Sequence, residues 1–289
     1  RFKLELWCHG LRGLESRAGL ALYIASLTLL ATMPLFYFFH VKEYWVLLSF
    51  IGSTEFYVFI LPIVYHSLPR GEAAGLAFSL LAAAGFAGFA KDVFKLPRPP
   101  QEMWLVTAEG YGFPSGHATG SSSFWGYLAL SRPAPALIGF TVTLIAGVSL
   151  SRVVLGVHYP RDLVGGVIIG FAVAALSFYL ASRFGWRLAL AGIPLSLVFL
   201  ALSFLGYGVF SAPSALLGFS LAELIMERVR LREGPGALYG ALGSAAAAPF
   251  AIAAAKSGSL IVEVSFFALA GFLAVVVPRY VKSLRSKRV

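Results

Sequence analysis

Ten apolar runs follow one another along the chain, at 18–39, 44–66, 71–90, 115–131, 134–151, 162–182, 186–206, 210–227, 236–255 and 258–278. Most approach the roughly 20 residues that a helix needs to cross the hydrocarbon of a bilayer. Only helices and closed barrels satisfy every backbone N–H and C=O in lipid, and runs of this length suit helices. Of the residues 58% are hydrophobic and 12% charged, against about 25% charged in a soluble domain, so a water-facing surface cannot be covered. The expected fold is all-α, a polytopic bundle of ten transmembrane helices. The first run is too long for the apolar core of a signal peptide and has no clear cleavage site, so it reads as the first span. Gly and Ala are dense within the runs over 74–90 and 236–248, where they let helix backbones approach closely.

The net charge is +10, but the basic residues gather at the ends of apolar runs rather than along one face. That is the pattern of membrane orientation and lipid-headgroup contact, not of nucleic-acid binding. With ten spans, sixteen Lys and Arg fall on the side of the two termini and seven on the other. The positive-inside rule then places the termini in the cytoplasm and the segments 91–115 and 152–162 outside, in a multi-pass protein of the cell membrane. The single cysteine, Cys8, leaves no intrachain disulfide. A soft boundary falls near Arg183–Arg187. Residues 1–182 form a six-span region whose outer loops hold nearly all the polar chemistry, and 183–289 a four-span region with little.

Three of the outward segments carry that chemistry. Lys91 and Arg98-Pro99 follow the third run, Pro114-Ser115-Gly116-His117 opens the fourth, and Ser151-Arg152, His158 and Asp162 join the fifth to the sixth. Lys91, Arg98 and Arg152 supply three positive charges, suited to a phosphoryl group. Pro114 stands at a helix start, where Ser115 and Gly116 offer free N–H groups to an anion. His158 and Asp162 are four apart, so a turn at Pro160 lets the carboxylate hold one ring nitrogen and leaves the other to attack. His117 adds an imidazole for proton transfer. Nothing there forms a carboxylate cage for Mg²⁺, and no metal or cofactor is expected.

The pattern Lys-x6-Arg-Pro, Pro-Ser-Gly-His, Ser-Arg-x5-His-x3-Asp resembles the type 2 phosphatidic acid phosphatase family, with all eleven signature residues in order. The resemblance covers roughly residues 18–182, the family's six-helix core, and does not reach 183–289. It implies that His158 attacks phosphorus and becomes a phosphohistidine, and that Asp162 fixes its tautomer. It gives His117 the protonation of the leaving alkoxide, and gives Lys91, Arg98, Ser115, the Gly116 amide and Arg152 the phosphate oxygens. The implied activity is hydrolysis of a lipid phosphomonoester or diphosphate in the bilayer. Polyprenyl diphosphate is the first choice, with phosphatidic acid, phosphatidylglycerol phosphate and sphingoid phosphates next. A phosphotransferase using the same histidine and a lipid transporter on the same scaffold are the alternatives.

Other polar residues read as structural. Glu55 and Glu263 lie inside apolar runs, where an ionisable group is a functional suspect by default, but small polar neighbours of Glu55 favour a packed, neutral role. Trp104 and Tyr111 read as interfacial anchors, with a lipid entry route as the other reading. His9, His40 and His66 sit at boundaries without polar company.

Overall fold

The computed structural model describes residues 17–231 and 236–286; Cys8, His9, the basic residues before Arg17, and Arg232, Lys287 and Arg288 lie outside the described residues. Among the described residues the chain forms eleven α-helices and no strand. They are α1 (Arg17–Phe38), α2 (Lys42–Ile51), α3 (Thr54–Ser67), α4 (Arg70–Phe94), α5 (Gly116–Ser131) and α6 (Pro135–Val154). After these come α7 (Pro160–Phe184), α8 (Leu188–Phe204), α9 (Ser211–Arg228), α10 (Ala237–Lys256) and α11 (Leu260–Ser286). Each apolar run of the sequence is helical. Among the described residues, six helical segments are long and apolar enough to cross a membrane, with α7 and α8 taken as one, and a seventh if α2 and α3 make one broken span. The run at 115–131 yields a helix of 16 residues, and α9 carries Glu223, Glu227 and Arg228; both fall short of that measure. Leu27, Phe38, Val142, Leu238 and Ile261 stand exposed on their helices, a surface that hydrocarbon covers without cost. The chain is a multi-pass membrane protein.

The run at 44–66 is not one helix. It breaks at Gly52 and Ser53: the Gly52 N–H returns to the Ser49 carbonyl at 3.0 Å, and the Ser53 hydroxyl accepts from the Phe56 N–H to cap α3. Glu55 therefore sits exposed in the first turn of α3, where its carboxylate faces the positive end of the helix dipole. Glu263 likewise occupies the first turn of α11.

The helices form two compact units, one of residues 1–52 and 95–175, the other of 53–94 and 176–289. The boundary drawn at 182 from the chemistry falls inside the second.

In the first unit, α6 packs against α1, α2 and α5. α7 lies on α5 at backbone contact: a Cβ at Gly170 would come 2.3 Å from the Thr119 carbonyl oxygen. Met33, Trp45, Leu48, Leu155 and Val157 make a buried cluster, with Trp104 and Val106 packed on it. Trp104 also donates its indole N–H to the Pro99 carbonyl at 2.8 Å, so it ties the segment after Arg98 to this core.

In the second unit α3 packs on α10, α4 on α8 and α9, and α11 on α9 and α10. The small residues read as packing faces are buried here, among them Gly240, Gly243, Ala247 and Ala248 of α10. Glu223, fully buried, ties four helices. Tyr65 donates to its Oε1, as does Arg279 at 2.6 Å, and Arg70 Nε donates to Oε2 at 2.9 Å. Arg70 also reaches Glu227 and lies 4.1 Å from the ring centroid of Trp186. Buried charges persist only when paired in this way.

Candidate active site

Pro160 opens α7, and Asp162 lies in its first turn. The turn brings the Asp162 carboxylate back onto the preceding segment. Nδ1 of His158 stands 3.2 Å from Asp162 Oδ2, and the Tyr159 N–H donates to the same oxygen at 3.0 Å. The other oxygen faces Arg161 Nε at 3.7 Å. His158 is 3% exposed and Asp162 is fully buried. A buried carboxylate with one amide and one imidazole on the same oxygen fixes the ring's orientation.

Arg98 closes the other side of that ring. Its Nη1 lies 2.9 Å from His158 Nε2 and donates to the Val157 carbonyl at the same distance. Nε donates to the Gly110 carbonyl at 3.0 Å and Nη2 to that of Glu109 at 2.7 Å. A guanidinium can only donate, so Nε2 accepts and carries the lone pair, and the ring proton resides on Nδ1, directed at Asp162. Burial holds the Arg98 guanidinium below the usual arginine range, and the charge of Asp162 opposes that shift.

Ser115 is the N-cap of α5; its hydroxyl accepts from the Ala118 N–H at 3.5 Å. Its own N–H is not free, as the sequence reading had it, because it donates to the Asp162 carbonyl at 2.9 Å. The amide available to an anion is that of Gly116, the first helical residue, which has no intrahelical acceptor. The Ser115 bond joins the start of α5 to the start of α7. His117, half-buried, follows in the first turn of α5. Arg152 lies in the last turn of α6, 7% exposed, and its Nη1 donates to the Ser49 hydroxyl at 2.5 Å.

Arg98, Ser115, Gly116, His117, Arg152, His158 and Asp162 thus belong to the first unit. Lys91 stands half-buried in the last turn of α4, a helix of the second. Among the described residues no group of three His, Cys, Asp or Glu could hold a metal ion. The donor set consists instead of guanidinium and amide N–H groups, which fit the oxygens of a phosphoryl group.

Sequence reasoning missed several participants. The Glu109 and Gly110 carbonyls that grip Arg98 carry no side-chain signal. Ser49 is one serine among many in apolar runs. The group around Glu223 had a signal, since a carboxylate and a guanidinium within apolar runs demand partners, but nothing in the sequence paired them.

Residues 72–186 match the model of the PAP2 superfamily. The chain is 38% identical over 123 residues to phosphatidylglycerophosphatase B of Escherichia coli K12, which covers 41% of this chain and 44% of that protein. It is 29% identical over 182 residues to a dihydrosphingosine 1-phosphate phosphatase of Schizosaccharomyces pombe, covering 57% of this chain and 44% of that one. It is also 29% identical over 137 residues to the decaprenylphosphoryl-5-phosphoribose phosphatase of Mycobacterium tuberculosis H37Rv, covering 46% and 68%. The chain thus spans less than half the length of the first two of these relatives. Over residues 72–186, then, the chain is similar to the PAP2 superfamily.

Proposed function

We propose that this protein is an integral membrane lipid phosphatase that works without a metal through a phosphohistidine at His158. The observation that carries the reading is the buried imidazole held by Asp162 at Nδ1, with its lone pair on Nε2. Phosphoryl oxygens are stronger acceptors for a guanidinium than a neutral imidazole. A phosphate entering beside Arg98 draws Nη1 to itself and frees Nε2. Nε2 then attacks phosphorus as the P–O bond to the leaving group breaks, and His117 gives its proton to that group, an alkoxide from a monoester or a lipid phosphate from a diphosphate. Asp162 stabilises the positive charge on the ring. In the second step His117 takes a proton from water, the water oxygen bonds to phosphorus, and the N–P bond breaks to release inorganic phosphate. Arg98, Arg152, Ser115 and the Gly116 amide hold the equatorial oxygens, and Lys91 keeps the phosphate-binding role that the motif implies.

Polyprenyl diphosphate is the first substrate, followed by phosphatidic acid and phosphatidylglycerol phosphate. The names of the relatives span a glycerophospholipid, a sphingoid and a decaprenyl phosphate, as expected of a site that reads phosphate rather than tail. The charge asymmetry along the chain supports an active site on the outer face of the cell membrane. The test is phosphate release in detergent with EDTA present, over polyprenyl diphosphate, phosphatidic acid and phosphatidylglycerol phosphate. Release from at least one, inhibited by vanadate, is expected. Activity lost on chelation and restored by Mg²⁺ or Zn²⁺ overturns the mechanism.

A further inference from the structure

The last turn of α2 carries no residue of the family's signature, yet it touches two signature side chains. Ser49, 7% exposed, accepts a 2.5 Å hydrogen bond from Nη1 of Arg152. Ser244 also reaches across, to the Phe59 carbonyl at 2.6 Å, but buried Ser121, Ser151 and Ser220 turn their hydroxyls back onto His117, Val148 and Leu216 of their own helices. That is the usual way to satisfy a hydroxyl in an apolar helix. Ser49 instead bonds across to α6. One turn later Gly52 ends α2, and a Cβ there would lie 2.4 Å from Val148 Cγ1 and 3.3 Å from the Cβ and Cδ2 of His117.

We infer that α2 is a positioning element of the phosphate site, in which Ser49 sets the guanidinium of Arg152 and Gly52 leaves the room that Val148 and, beside it, His117 occupy. The inference rests on the reading of Arg152 as a phosphate ligand. An arginine on four rotatable bonds has many rotamers, and binding pays to freeze each of them. Ser49 fixes Nη1 before substrate arrives, so Nη2 is presented in a set direction. Losing a hydrogen bond to a charged group is expected to cost at least about tenfold in affinity.

The test is a double-mutant cycle read as vanadate affinity, which needs no turnover, alongside kcat and KM for phosphate release. Ser49→Ala is expected to weaken vanadate binding about tenfold in the wild-type background and less than twofold in an Arg152→Lys background. Ser49→Thr, which keeps the hydroxyl, is expected to bind vanadate within threefold of wild type. Equal losses from Ser49→Ala in both backgrounds would show that Ser49 acts on the fold and not through Arg152. A Ser49→Thr protein as weak as Ser49→Ala, or a Ser49→Ala protein that no longer elutes as a folded species in detergent, overturns the inference too. If wild type releases phosphate and Ser49→Ala matches it in vanadate affinity, the positioning role falls and the proposed function stands. If wild type neither binds vanadate nor releases phosphate, both fall.

Discussion

Nη1 of Arg98 lies 2.9 Å from Nε2 of His158, so the nitrogen read as the nucleophile is covered by the group read as its phosphate ligand. One contact then serves two purposes, holding the lone pair in place and giving it up when a better acceptor arrives.

Arg98→Lys is therefore expected to cost far more than the loss of a charge, because lysine cannot bridge the Glu109, Gly110 and Val157 carbonyls together. A fall of about 10²–10³-fold in kcat/KM, the scale of losing one preorganised donor, is the expected result of phosphate-release kinetics. His158→Ala is expected to abolish turnover, and Asp162→Asn to leave residual activity up to about 10⁴-fold lower. An Arg98→Lys enzyme within threefold of wild type would remove Arg98 from the mechanism.

For His117 the discriminating quantity is the leaving group. A lipid alkoxide needs a proton to depart, whereas p-nitrophenolate does not. His117→Ala is expected to lose about 10²–10⁴-fold on a lipid phosphomonoester and distinctly less on an aryl phosphate. Equal losses on the two substrates in one detergent would make His117 a phosphate ligand and not an acid.

Glu223 offers a stability test away from the chemistry. Its carboxylate is the counter-charge of Arg279 and, with Glu227, of Arg70. Removing one member of a buried ionic group costs about 3–5 kcal/mol. Glu223→Gln is expected to lower the thermal unfolding midpoint in detergent by several degrees, while the double variant Glu223→Leu with Arg279→Leu recovers part of the loss. A Glu223→Gln protein as stable as wild type would show that the cluster contributes nothing to the fold.

The motif residues were legible because each group is local: a cap followed by a helix, or a histidine and an aspartate one turn apart. Asp162 could be paired with His158 from spacing alone, and the apolar runs gave the helices. What stayed hidden are relations between distant segments. The contact of Ser49 with Arg152 crosses 103 positions and that of Tyr65 with Glu223 crosses 158, and no periodicity encodes either. The break at Gly52 was hidden for another reason. A glycine inside an apolar run reads as close packing, and the hydroxyl that caps the next helix differs in no way from one that packs.

Sidedness is testable by accessibility. Thr107→Cys in a Cys8→Ser background is expected to react with an impermeant thiol reagent on whole cells, and Arg187→Cys only after the membrane is opened. Both positions are exposed, so burial does not confound the comparison. The reverse pattern would put the active site in the cytoplasm.

The chain leaves its first unit after Gly52 and returns to it at Lys95, which sets a timetable for assembly. During synthesis α3 and α4 emerge before α8, α9 and α10, on which they pack. Arg70 is made 153 residues ahead of the carboxylate of Glu223 that neutralises it. At about 5–20 residues per second, that interval is roughly 8–30 s. For that time a guanidinium at the head of an apolar helix must be kept at a headgroup or by the insertion machinery. Those last helices are then no appendage to be trimmed away, because they complete a charge pair that the ribosome left open early in the chain.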